Sequence, residues 1–252
     1  MDLTLWPLVS QPWADLCEAV ELVERLGWHG VMVEDHFMAD GSGFGAVSDP
    51  RFEVTTVLSA LAVATNSLRL APLVMSATYR HPAVVANWAV TVDHISGGRL
   101  TLGLGAGWQI NEHEQYGIEM GTPRERIDRL DEYCSVVRSL FEQSVTDFNG
   151  RFFELSNAWC QPKPVQDRLP LLIGGKGDRM LRLVSRHADM WNMWAMPSKF
   201  AERAAVLDQA CESIGRDPVT VRRSTQALVC LTDSESTARS FLDATGGRAA
   251  FA

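Results

Sequence analysis

The sequence predicts an α/β protein, and three observations predict it. Short apolar runs of strand length alternate with stretches of helical periodicity along the chain, the pattern of a parallel sheet covered by helices. Seven such strands fit into the 252 residues with room for one more, which suggests an eight-stranded (β/α) barrel. One strand, Leu100 to Leu104, also runs straight into Gly105-Ala106-Gly107-Trp108. A strand whose C-terminal end opens into a loop nearly free of side chains is where parallel α/β folds hold their ligand. An open, doubly wound sheet is the alternative architecture.

Taken in order, residues 2–9 read as a first strand. Trp13, Leu16, Val20, Val23 and Leu26 then fall on one helical face, which Gly27 ends. Val31-Met32-Val33 is a second strand, running into Glu34-Asp35-His36-Phe37. Residues 38–50 are a loop, Phe52 to Ala64 a helix, and Leu68 to Met75 a third strand. Pro82 suits the first turn of a helix carrying Val85, Trp88, Val92 and Ile95 inward, and Gly97-Gly98 can take positive φ to stop it. In the fourth strand Leu100, Leu102 and Leu104 alternate with Thr101 and Gly103.

Arg124 to Gln143 is the next helix. Residues 144–169 form an excursion, with Asn149-Gly150 as a hairpin turn signal between 145–148 and 151–154. Leu171-Leu172-Ile173 is the fifth strand, followed by a helix from Asp178 to His187. Residues 189–194 give a sixth strand, Phe200 to Ile214 a helix, Val219 to Leu231 a seventh strand region, and Ser234 to Ala244 a last helix. Nothing after Ala244 is long or apolar enough for an eighth strand. No repeat or linker divides the chain, so residues 1–252 read as a single domain.

A net charge of −8 and the absence of a basic run argue against nucleic acid or an anionic membrane as partner. No apolar stretch is long enough to span a bilayer, and the N-terminus lacks the pattern of a signal peptide. The five cysteines are scattered without a CxxC pair, consistent with reduced thiols and a cytoplasmic location.

Asp35-His36 directly follows the second strand, where an imidazole could exchange a proton near neutral pH or merely bond a neighbouring loop. Gly105-Ala106-Gly107-Trp108 could cradle a planar ring or simply make a tight turn. Gly174-Gly175-Lys176-Gly177 opens a helix whose N–H groups could face an anion, though it matches neither a Walker loop nor GxGxxG. Glu112-His113-Glu114 and His94 lack metal-ligand spacing, and no metal is expected. No GxSxG elbow is present.

Several motifs occur together in a specific order. They are Val33-Glu34-Asp35-His36-Phe37, Tyr79-Arg80-His81-Pro82, and Asp93-His94-Ile95-Ser96-Gly97-Gly98-Arg99-Leu100 running into Gly103-Leu104-Gly105-Ala106-Gly107-Trp108. Glu112 with Tyr116-Gly117, Pro162-Lys163-Pro164, Pro170 to Gly175 and Ala188-Asp189-Met190-Trp191-Asn192 follow. From Trp13 to about Leu231 the chain resembles the bacterial-luciferase-like family of flavin and deazaflavin oxidoreductases.

The resemblance implies a (β/α)8 barrel of the luciferase-like type, here expected to lack the eighth strand and final helix with which family members usually continue. The motifs are most similar to the branch that uses coenzyme F420. They imply an F420-dependent oxidoreductase that exchanges hydride with a small organic substrate and forms a homodimer. An FMN-dependent monooxygenase, fed reduced flavin by a separate reductase, is the alternative, and a non-catalytic flavin-binding relative is a third reading. By match, His36 is the catalytic proton carrier. Asp35, His36, Leu73, Val74, Ala106, Gly107, Trp108, Asn111, Gly174 and Gly175 would bind the cofactor, with Glu112 nearby and Gly174-Gly175 at its polar tail. The family often carries a cis peptide at the position of Leu73-Val74. Trp108 stands where some sugar-phosphate dehydrogenases of the branch place a catalytic Glu, so that substrate is not expected.

Overall fold

Gly97 and Gly98 both adopt left-handed backbone, with φ of 67° and 84°, and close helix α3 (Pro82–Ser96) where the sequence places a stop. The computed structural model in which this is seen describes residues 1–41, 45–230 and 232–244. The other helix starts are equally local in origin. In α1 (Trp13–Arg25) the buried residues are Leu16, Val20 and Val23, the expected face. Glu53 caps α2 (Val54–Ala64) by accepting from the N–H groups of Thr55 and Thr56. Thr122 and Glu125 form a reciprocal capping box on α5 (Pro123–Glu142), with Pro123 in its first turn.

The strands are β1 (Thr4–Leu5), β2 (Gly30–Val33), β3 (Arg69–Pro72), β4 (Met75–Ser76), β5 (Leu102–Gly105), β8 (Leu171–Gly174), β9 (Met190–Asn192) and β10 (Arg222–Ser224), with a separate hairpin of β6 (Thr146–Asn149) and β7 (Glu154–Ala158). All pairings outside the hairpin are parallel. β1 pairs with β2 and β2 with β3; β4 pairs with β5, β5 with β8, β8 with β9 and β9 with β10. A parallel bridge between Leu70 and Leu100 joins the two groups.

A doubly wound sheet reverses its strand order at a switch point. Here neighbours follow the chain from β1 to β10, as in a barrel. At the two ends of that order Asp2 pairs with Arg222, and the Trp6 and Trp194 rings meet edge to face at 5.7 Å. The expectation that nothing past Ala244 supplies an eighth strand falls on 245–252, outside the described residues.

Several boundaries differ from the sequence reading. The first strand is only two residues long because Pro7 has no N–H to give a ladder. The third strand is interrupted between β3 and β4, where the Leu73–Val74 peptide is cis. The seventh strand shrinks to Arg222–Ser224, because Asp217 caps a 3₁₀ turn over Pro218–Thr220 ahead of it; Leu231 lies outside the described residues. Helix α7 (Pro197–Glu212) starts three residues before the expected Phe200, with Pro197 in its first turn. The short helix α4 (Ile110–Tyr116) was not anticipated.

The hairpin turn is also longer than the Asn149-Gly150 signal suggested. Asn149 pairs with Glu154, so residues 150–153 form the loop. Glu132 holds it by accepting from the N–H groups of Arg151, Phe152 and Phe153, and Phe153 buries its ring against Tyr133.

Leu100, Leu102 and Leu104 are fully buried in the single core cluster. Part of the quoted motifs serves the N-terminal end of the strands rather than a site. Arg99 donates to the carbonyls of Ala62, Thr65, Leu68 and Ser96. Asp93 accepts from the N–H groups of Val165 and Gln166, fastening the excursion. Asp189 accepts from Arg138, Arg168 and the Leu171 N–H.

Candidate functional site

At the opposite, C-terminal end of the strands lies a cavity of about 500 Å³, within the range of ligand cavities. Each wall is the continuation of a strand. Asp35 and His36 follow β2, Leu73 and Val74 lie between β3 and β4, Ser76 ends β4, Gly105 ends β5, and Ala106, Gly107 and Trp108 follow it. Gly174 and Gly175 end β8, with Lys176 and Met180 beyond; Asn192, Met193 and Trp194 end β9, and Gln226 lies past β10. Nine of the ten residues expected to hold a cofactor therefore line one cavity.

Asn111 does not line it. Its side-chain amide donates to the Ala39 carbonyl at 2.9 Å, so it pins the loop after β2 instead. The anion argument for Gly174-Gly175 also changes. The Gly175 N–H is spent on the Asn192 carbonyl at 3.1 Å, within the sheet. What remains for an anion is the N-terminus of α6 (Asp178–His187), which has no side-chain cap, together with the exposed Lys176.

The glycines have a steric reason. A Cβ at Gly103 would sit 2.0 Å from the Pro72 carbonyl oxygen. Cβ atoms at Gly105 and Gly174 would lie 2.6 and 3.0 Å from Val74 Cγ2. These strand ends are bare so that Val74 can project between them at the cavity floor.

His36 faces the cavity, with its ring edge to face against Trp108 at 5.4 Å. Its Nδ1 lies 2.9 Å from Oε2 of Glu112, whose side chain is wholly enclosed. An ionised carboxylate only accepts, so Nδ1 carries the proton and Nε2 is the nitrogen left for chemistry. Tyr79 donates its phenol to the same Oε2 at 2.5 Å, and the Phe37 and Met38 N–H groups donate to Oε1. Burial pushes the Glu112 carboxyl up, but the donors from His36, Tyr79 and Phe37 outweigh it and hold it below its ordinary 4.5. Burial and the Glu112 carboxylate push the Tyr79 phenol well up, so it stays a donor.

Asp35 turns the other way. Its carboxylate accepts two bonds from Arg80, at 2.8 and 3.0 Å, and one from the Ser76 N–H at 2.9 Å. Burial pushes this carboxyl up against the pull of those donors. Arg80 also reaches Glu53 at 2.6 Å and sits over the Phe37 ring. Asp35 thus ties β2, β4 and α2 together beneath His36.

Lys176 stands in the loop expected to face an anion, whereas Ser76, Met180, Asn192, Met193, Trp194 and Gln226 are lining residues that the sequence did not single out. The rule that strand ends carry function would have selected Ser76, Asn192 and Trp194. Gln226 was hidden because the seventh strand was drawn through it. Among the described residues no three His, Cys, Asp or Glu side chains converge as a metal site, and no helix is long and apolar enough to cross a membrane.

Parallel strands in chain order, a cavity at their C-terminal ends and an oriented imidazole beside a glycine floor make up the arrangement in which (β/α) barrel folds place their sites. The sequence profile of the family described as luciferase-like monooxygenase matches residues 2–251, and the chain belongs to that family. Pyrimidine monooxygenase RutA of Escherichia coli (strain SMS-3-5 / SECEC) is 34% identical over 184 residues, covering 69% of this chain and 50% of RutA. The chain spans about half the length of that curated relative.

Among solved structures, an F420-dependent secondary alcohol dehydrogenase in complex with an F420-acetone adduct superposes with a TM-score of 0.82 at 23% identity, over 90% of this chain and 68% of the other. Riboflavin lyase (RcaE), with modified FMN and riboflavin, superposes with a TM-score of 0.80 at 16% identity, over 96% and 65%. These likenesses establish the luciferase-like barrel fold for the chain.

Proposed function

We propose that the protein is an F420-dependent oxidoreductase acting on a small organic substrate in the cavity at the strand ends. The observation that carries this reading is the His36–Glu112 pair, which leaves one imidazole nitrogen facing a cavity with a floor of bare backbone. The residues present fit the group. Gly105, Ala106, Gly107 and Val74 offer a flat, largely apolar surface; Ser76 and Asn192 supply polar contacts; Lys176 and the uncapped start of α6 favour an anionic tail. When bound, a deazaflavin supplies hydride exchange with a carbon centre.

The rest is the chain's own work. Glu112 fixes the tautomer and orientation of His36, so that Nε2 can take or give a proton next to the reacting carbon. Trp108 and Trp194 wall the cavity. Asp35, held by Arg80, fixes the end of β2 that carries His36.

A second reading, an FMN-dependent monooxygenase supplied by a separate reductase, is favoured by the 34% identity to RutA. The two are separated by titrating the purified protein with F420 and with FMN and following fluorescence quenching. Micromolar binding of F420 with weaker FMN binding supports the first reading. Preference for FMN replaces it with the second, and binding of neither overturns both.

A further inference from the structure

We infer that Ser76, Thr78 and His113 form a directional hydroxyl relay that presents Ser76 Oγ to the cavity as a hydrogen-bond acceptor and transmits what binds there to the buried His113. It rests on the reading of the cavity as a cofactor site. His113 and Thr78 are positioning residues in this relay; only Ser76 touches the occupant.

The direction follows from proton counting. His113 Nδ1 lies 2.6 Å from the Gln109 carbonyl oxygen, which can only accept, so Nδ1 carries a proton. In the neutral ring Nε2 is then an acceptor. Thr78 Oγ1 lies 2.8 Å from it and must donate its one proton there. Ser76 Oγ is 2.7 Å from Thr78 Oγ1, and with the Thr78 proton spent, Ser76 is the donor of that bond. The Ser76 N–H is taken by Asp35 Oδ2 at 2.9 Å. Ser76, which lines the cavity, therefore has only oxygen lone pairs to offer an occupant.

The loop after β5 is cut to fit the relay. A Cβ on Gly107 would lie 2.5 Å from Ser76 Oγ and 3.0 Å from Thr78 Oγ1. The glycine is thus needed by the hydroxyl pair as well as by its own φ of +80°.

Protonation of His113 reverses the two hydroxyl bonds and leaves Nδ1–H on the Gln109 carbonyl. Nε2–H would donate to Thr78, Thr78 to Ser76, and the Ser76 proton would turn into the cavity. The ionisable groups around the relay have other partners or face solvent. The Tyr79 ring packs 5.0 Å from the His113 ring with its phenol committed to Glu112. Glu112, next to His113 on α4, is directed at His36 and the Phe37 and Met38 N–H groups, while Glu114 on its other side is exposed. At the Ser76 end, Asp35 is paired with Arg80. An occupant that donates an N–H to Ser76 Oγ favours the neutral ring, and linkage requires that the neutral ring favour such an occupant equally.

Histidine-selective NMR of the protein tests this. In the ligand-free protein, neutral His113 should show the Nδ1–H tautomer; the Nε2–H tautomer overturns the relay whatever the cavity binds. On saturation with F420 or FMN, the proton affinity of His113 should fall by about fivefold. That fall should vanish in Thr78→Val and return in Thr78→Ser, with melting temperatures checked for all three proteins. An unmoved His113 in the saturated wild type, or an equal change in Thr78→Val, contradicts the proposal. Failure of both cofactors to bind would count against the proposed function, and the tautomer measurement would still decide the relay.

Discussion

His36 Nδ1 stands 2.9 Å from Glu112 Oε2, and this one carboxylate also collects the Tyr79 phenol and two backbone N–H groups from the loop that carries His36. A single enclosed acceptor therefore sets both the shape of that loop and the tautomer of the imidazole. Replacing Glu112 by Ala leaves these donors unpaired in a buried place, at a cost of about 3 kcal/mol. Urea denaturation at pH 7 measures it; a loss below about 1 kcal/mol would mean water replaces the carboxylate freely.

His36→Asn keeps a polar side chain but removes the exchangeable imidazole proton. Turnover in any assay where the wild type is active should fall by about 10²–10⁴-fold. Affinity for F420 should stay within a few fold. Equal activity of the variant removes His36 from the chemistry; equal loss of affinity and turnover makes it a binding residue only.

The glycine floor predicts a compensating pair. Gly105→Ala places a Cβ 2.6 Å from Val74 Cγ2 and should destabilise by about 1–3 kcal/mol. Val74→Ala removes the opposing methyls, so the double variant should be more stable than the sum of the single effects implies. Simple additivity in thermal or urea unfolding would show that the two side chains do not compete for the same space.

Glu53 caps α2 and pairs with Arg80. Burial pushes its carboxyl up, but the hydroxyls and N–H groups of Thr55 and Thr56 prevail and bring it to about 2, from an ordinary 4.5. A carboxyl lowered on folding stabilises above its ordinary value and loses that contribution as pH falls through the lowered one. Glu53→Ala should therefore cost about 1–2 kcal/mol at pH 7. The difference from wild type should shrink as pH falls from 4.5 towards 2. A difference independent of pH would assign the effect to packing.

The barrel was legible because its signals are periodic or local. The Leu100-Leu102-Leu104 alternation, Pro82 at a helix start and Gly97-Gly98 at its end each act through neighbouring residues. Asp35 and His36 were legible because they follow a strand. The partner that orients His36 was not read as such, since Glu112 is 76 residues away on a seven-residue helix too short to show a period. The Gly175 N–H illustrates the converse: its GG signal suggested an anion site, yet a pairing with Asn192 that only the sheet register reveals consumes that donor. The hairpin likewise obeyed Glu132, a long-range acceptor, over the Asn149-Gly150 dipeptide.

The most direct test of the cofactor assignment is a backbone amide NMR map of the protein on titration with F420. The account predicts that the largest shift changes fall on Gly105, Ala106, Gly107, Gly174 and Gly175, which line the cavity at the strand ends. Changes centred on the smaller cavity of about 150 Å³ between Arg138 and Lys163, or the absence of any change, would contradict it.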